Sequence, residues 1–149
     1  MNEINKIKEK YINLRERIFN DKDLIKDAFS FSVNYSLLVE EIIVEVLEAE
    51  KIEYVLASAG SFSRRELAPH SDIDLMFIVP EMNKKYGKSI SKCITILWDC
   101  GIEASHTVRE FSDIKRFLED DLHALTQFFE TRFILGDSKI YADWNELLF

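Results

Sequence analysis

Apolar positions along this chain change period several times, and each change marks a new element. Ile4, Ile7, Tyr11, Leu14 and Ile18 recur at helical spacing and predict a charged amphipathic helix over residues 2–19. Asn20 and Asp21 interrupt it. Tyr35, Leu38, Val39, Ile42, Ile43, Val46 and Leu47 then predict a longer helix from about Leu24 to Ala49. Its apolar face is wide enough to meet more than one neighbour. Tyr54-Val55-Leu56-Ala57 is short, apolar and partly β-branched, the pattern of a buried strand. A small-residue turn, Ala59-Gly60-Ser61-Phe62-Ser63, follows. Residues 64–71 read as an irregular connection, because Pro69 prevents a regular helix there.

Asp72 to Val79 reads as a second strand, closed by Pro80. The period then returns to helical from Glu81 to about Asp99, with Tyr86, Ile90, Cys93, Ile94 and Leu97 on one side and Gly101 as a C-terminal cap. Ile102 to Arg109 alternates and predicts a third strand. Ser112 is placed to cap a helix through Leu118. Leu122, Leu125, Phe129 and Phe133 predict another helix over Asp121–Leu135, and Tyr141–Phe149 starts a further one. The expected fold is α+β: a small mixed sheet with helices on one face, preceded by two N-terminal helices. Residues 1–50 would form a helical lead-in and residues 51–149 the core. The apolar close Leu147-Leu148-Phe149 hints at a piece of a longer protein.

Composition narrows the partners. The 149 residues carry 27 acidic and 19 basic side chains, a formal net charge of -8. Proteins that grip long nucleic acid need a cationic surplus to displace phosphate counterions, so long DNA or RNA is a poor partner. A small nucleotide carrying its own magnesium, or a protein substrate, suits this balance better. No run of about 18 apolar residues is available to span a membrane, and the opening MNEINKIKEK lacks the apolar centre of a secretory signal. Cytoplasmic residence is the default expectation. Cys93 and Cys100 lie about two helical turns apart, roughly 10 Å along the axis, too far for a disulfide. Both read as buried small hydrophobes.

The chemistry concentrates between Gly60 and Leu75, G-S-F-S-R-R-E-L-A-P-H-S-D-I-D-L. Alternate residues of a strand share a face, so Asp72 and Asp74 are expected on one side and Ile73 and Leu75 on the other. Two neighbouring carboxylates repel unless a cation neutralises them. Magnesium accepts such hard oxygens together with substrate phosphates, which suits metal-assisted phosphoryl or nucleotidyl transfer. Gly60 permits close backbone approach, and Gly60-Ser61 can offer amide and hydroxyl donors to phosphate oxygens. A lone Asp-x-Asp is usually only a polar strand entrance, and a lone Gly-Ser only a turn. Their order and spacing after an apolar strand carry the signal.

That run resembles the nucleotidyltransferase superfamily of the DNA polymerase β type. More narrowly, Arg64-x-Glu66-Leu67-x-Pro69-x-Ser71-Asp72-Ile73-Asp74-Leu75 resembles the N-terminal catalytic domain of protein-PII uridylyltransferases and DUF294-like nucleotidyltransferases. The likeness continues in Leu97-Trp98-Asp99-x-Gly101-Ile102-Glu103, His106-Thr107-Val108-Arg109 and Thr131-Arg132-Phe133-Ile134-Leu135-Gly136-Asp137. The resemblance implies that Asp72 and Asp74 hold Mg2+ or Mn2+, and that Gly60 and Ser61 hold the triphosphate with Arg64 nearby. It also implies transfer of a nucleoside monophosphate from a nucleoside triphosphate to an acceptor hydroxyl, on a protein in the uridylyltransferases.

Two departures stand out. Ser63 occupies a position that is usually glycine in that family, which would narrow the loop or change its backbone. No third metal-binding carboxylate is evident; Glu103 and Asp121 are the candidates. His106, Arg65 and Arg109 can be read as phosphate-steering or as structural. An alternative reading follows from the departures: a catalytically impaired regulatory or partner-binding domain that keeps the fold.

Overall fold

The computed structural model describes residues 2–149, apart from the side chain of Ala124. Helix α1 (Glu3–Phe19) begins where the Asn2 side chain accepts from the Asn5 amide at 2.8 Å. The long helix expected over Leu24–Ala49 is two helices, α2 (Lys22–Lys26) and α3 (Ala28–Leu47). The break falls at Asp27, whose backbone is extended and whose carboxylate accepts from the amides of Phe29 and Ser30. A side-chain acceptor that satisfies the open amides of a new helix favours a restart over continuation.

Four strands follow: β1 (Val55–Ala59), β2 (Ile73–Val79), β3 (Ala104–Glu110) and β4 (Thr131–Gly136). Interleaved with them are a single turn α4 (Gly60–Ser63) and helices α5 (Lys84–Asp99), α6 (Phe111–Asp120), α7 (Leu122–Phe129) and α8 (Ser138–Leu148). The spatial order is β3-β2-β1-β4, with β1 antiparallel to both neighbours and β2 parallel to β3. The sheet is therefore mixed, as expected.

Three further expectations need correction. Asp121–Leu135 is not one helix, because α7 ends at Phe129 and β4 begins at Thr131. Opposite β4 the β1 register runs Leu56↔Leu135 then Ala57↔Phe133, so Ile134 is an inserted bulge residue. The bulge breaks the strict alternation by which a strand is recognised, and Phe129 with Phe133 then mimics a helical pair. Secondly, Ser112 does not cap α6. Glu110 does, in a reciprocal capping box with Asp113.

Thirdly, helices cover both faces of the sheet. Leu56, Ile73, Leu75, Phe77 and Val79 pack with Tyr11, Val39, Ile42, Ile43, Ile90, Cys93 and Leu97 from α1, α3 and α5. Val55, Ala57, Met76 and Ile78 pack with Ile114, Leu125, Phe128 and Trp144 from α6, α7 and α8. Strands apolar on both sides demand cover on both sides. Cys93 and Cys100 are buried free thiols in the larger core. Among the described residues, no helix is long and apolar enough to cross a membrane.

Candidate active site

Because β1 and β2 are antiparallel, with Ser58 opposite Leu75, the end of β1 lies beside the start of β2. Gly60 turns out of β1 at φ +57, a left-handed conformation in which side chains are strained. A Cβ on Gly60 would lie 3.1 Å from Oδ2 of Asp74, so the backbone bend rests directly against that carboxylate. On the other side of β2, the parallel register sets Ser105 of β3 opposite Asp74. These elements frame a cleft of about 420 Å3, within the range of small-ligand sites. Gly60, Arg64, Asp74, Ser105, His106, Thr107, Gln127 and Glu130 contribute to its walls.

Asp74 alternates with Ile73 and Leu75 of the larger core and so shares the side of Met76 and Ile78, the smaller core. Burial pushes its carboxyl above the usual range, and the charge of Asp72 pushes it further. Asp72 itself is exposed, one residue before β2, and lies outside the cleft lining. Ser61 is also outside that lining. The five predicted residues thus divide: Gly60, Arg64 and Asp74 line the cleft, whereas Asp72 and Ser61 flank it.

Arg64 is held by carboxylates on both sides. Its Nε donates to Glu66 at 2.9 Å and its Nη1 to Glu130 at 2.7 Å. The hydrogen bond to Glu66, then the charge of Glu130, raise the guanidinium pKa. Ser63 introduces no backbone strain: in this loop the left-handed residues are Gly60 and Arg65, while the Ser63 hydroxyl donates to the Gly60 carbonyl at 2.6 Å. The serine fits within the turn, and its hydroxyl adds a bond that glycine lacks.

Neither candidate third acid joins the cleft. Glu103 precedes β3 and is exposed, and Asp121 lies between α6 and α7. Among the described residues, no group of three or more His, Cys, Asp and Glu side chains is arranged to hold a metal. His106 lines the cleft and meets the Phe77 ring edge-on at 6.1 Å. Arg109 points elsewhere, its guanidinium 5.1 Å from the Phe117 ring and 5.6 Å from that of Phe128. Arg65 lies 4.0 Å from Glu40.

The reading of the sequence missed Glu130, Gln127 and Arg132. All three fall in the segment read as one continuous helix. The motif Thr131–Asp137 marked the region, but only the strand places Arg132 beside Ser58, in register on β1.

Comparison with known proteins adds chemistry to this geometry. The chain is similar to bifunctional uridylyltransferase/uridylyl-removing enzymes. One from Rhodopseudomonas palustris is 35% identical over 92 residues, 61% of this chain and 10% of that protein. One from Haemophilus influenzae is 31% identical over 131 residues, 85% of this chain and 14% of that protein. One from Zymomonas mobilis is 27% identical over 146 residues, 87% of this chain and 16% of that protein. The chain therefore spans only a small part of the curated relatives it matches. No protein-family model matches it. The relationship is uridylyltransferase-like.

Proposed function

We propose that this chain is a metal-dependent nucleotidyltransferase domain that moves a nucleoside monophosphate from a nucleoside triphosphate to an acceptor hydroxyl, as the uridylyltransferases it resembles do, with a protein as acceptor. The observation carrying this reading is the contact of the Gly60 bend with the Asp74 carboxylate inside a cleft. That contact sets a backbone free of side-chain bulk against an acidic oxygen.

The donors fit a hard divalent cation. Asp72 and Asp74 are two mutually repelling carboxylates, and burial together with Asp72 raises the pKa of Asp74. Bound by these two residues, Mg2+ or Mn2+ would supply Lewis-acid stabilisation of charge on the phosphate oxygens. In the transfer the acceptor oxygen forms a bond to the α-phosphorus, the bond from that phosphorus to the bridging oxygen breaks, and pyrophosphate leaves with that electron pair. The acceptor hydroxyl gives up its proton to solvent water. Gly60 allows the triphosphate close to the backbone. Arg64 exchanges a carboxylate partner for phosphate oxygens, a fork-shaped donor suited to either.

Calorimetric titration of each nucleoside triphosphate, with and without Mg2+ or Mn2+, tests the proposal. Binding should require metal and disappear in Asp74→Asn; binding that is indifferent to metal, or survives that change, overturns it. A second reading, a catalytically impaired regulatory or partner-binding domain, is favoured by one observation: among the described residues, no third acid accompanies Asp72 and Asp74. Metal-dependent nucleotide binding with no pyrophosphate release on any acceptor would favour it.

A further inference from the structure

Arg132 enters β4 opposite Ser58, whose buried hydroxyl donates to the Arg132 carbonyl at 3.2 Å. Its backbone is therefore fixed against β1, two residues before Gly60. The guanidinium then makes three kinds of contact. Nη1 donates to both oxygens of Glu40 on α3, at 2.5 and 2.6 Å. Nε donates to the Ser63 carbonyl at 3.2 Å, and Nη2 to the Phe62 carbonyl at 3.5 Å. Those carbonyls form the exit of α4, the turn whose entrance is Gly60. Beyond the turn, Arg65 is left-handed at φ 59 and its guanidinium also approaches Glu40. One carboxylate of the N-terminal helices thus anchors the exit of the turn at two points.

We propose that Arg132, held by Glu40, is a positioning residue that sets the height of the Gly60–Ser63 turn above Asp74 and thereby the affinity of the cleft for a metal-bound nucleoside triphosphate. The inference rests on the proposed function. Its physical basis is the division of the guanidinium fork, with one nitrogen on a carboxylate and two on backbone carbonyls. A lysine ammonium keeps the ion pair with Glu40 but is a point charge that cannot span all three acceptors. The turn is a single helical turn with no side-chain cap, so its own hydrogen bonds hold it weakly. The shift expected on losing the fork is small in distance, yet displacements of about 1 Å near a reacting group can cost up to about a hundredfold. Arg132 and Glu40 are both largely shielded, with side-chain exposures of 25% and 18%, so the pair is not a freely solvated surface contact.

The test uses the full chain, with Arg132→Lys and Glu40→Gln measured separately so that a folding failure in one leaves the other informative. Two quantities are titrated: Mn2+ alone, and uridine triphosphate in saturating Mn2+. Each variant that melts cooperatively should bind the nucleotide about tenfold more weakly while its affinity for Mn2+ alone is unchanged. The amide resonances of Gly60 and Ser61 should move, in the same direction in both variants. Unchanged nucleotide affinity overturns the inference. So does an equal loss of nucleotide and Mn2+ affinity, which marks general loosening. Should the unaltered chain bind no nucleoside triphosphate with either metal, the functional reading fails first and takes this inference with it; the two failures are therefore distinguishable.

Discussion

The two faces of the sheet are built from the same strands but differ in what they tolerate. Under α1, α3 and α5 the side chains are aliphatic and aromatic, and Val39, Ile42, Ile43, Leu47 and Leu56 have no exposure at all. Under α6, α7 and α8 the cluster is smaller, and two buried nitrogens, Nε of Arg109 and Nε1 of Trp144, have no hydrogen-bond partner among the described residues. The second face opens into the cleft at Asp74. A buried donor without a partner costs about 1–3 kcal/mol, and burial beside the Asp72 charge disfavours the ionised form of Asp74 as well. One face supplies stability; the other tolerates polar groups that a well-packed core would reject. The contrast teaches that the candidate site sits where packing is least complete, supported from behind by the denser side.

Three substitutions break or sharpen that contrast. The largest effect is expected from Asp74→Asn, which should reduce metal-dependent transfer about a thousandfold, equivalent to roughly 4 kcal/mol of transition-state stabilisation. Pyrophosphate release measures it. Ile43→Ala, in the denser core, should lower unfolding free energy by about 2–5 kcal/mol in urea titration. Nucleotide affinity under native conditions should stay unchanged. Gly60→Ala inverts that pattern. Its Cβ would meet Asp74 Oδ2 in a left-handed residue, costing about 1–2 kcal/mol of stability and weakening nucleotide binding more than the stability loss explains.

The smallest effect concerns pH. Burial and Asp72 raise the carboxyl pKa of Asp74 above its unfolded value, so the ionised form is disfavoured in the folded state. The folded protein is then best stabilised by this group below the unfolded pKa, and loses that advantage as pH rises through the folded one. Asp74→Asn should therefore melt slightly above the unaltered chain near neutral pH. The gap should close as pH falls below about 4. A gap that widens in acid would mean that Asp74 is stabilised as an anion.

Much of the fold was legible because long-period patterns survive tertiary context. The face of α3 through Val39, Ile42, Ile43 and Leu47, and the presence of β1, β2 and β3 as strands, follow from spacing, whereas their pairing and direction do not. The break at Asp27 was not, since a single capping carboxylate outweighs an otherwise continuous apolar repeat. Nor was β4, whose bulge at Ile134 hides the alternation. The site was legible only in part for a related reason. Gly60, Arg64 and Asp74 are close in sequence and share one signature, whereas Glu130, just before the concealed strand, meets Arg64, and Arg132, within it, meets the Phe62 and Ser63 carbonyls. Cover on both faces was overlooked although a helix was read near each of α6, α7 and α8, because nothing in their spacing says which side of the sheet they cover.

The position of β4 has a consequence for how the chain assembles. β1 pairs with β2 on one edge, but its other edge waits for Thr131–Gly136, which follows β2 and β3 in the chain. Until that segment is synthesised, an apolar ribbon with open hydrogen-bonding groups is available to other nascent chains. Chains halted before Thr131 should be recovered in inclusion bodies. Delay at this stage also leaves the loop at Gly60 without its guanidinium clasp, so competence for ligand waits on the making of β4.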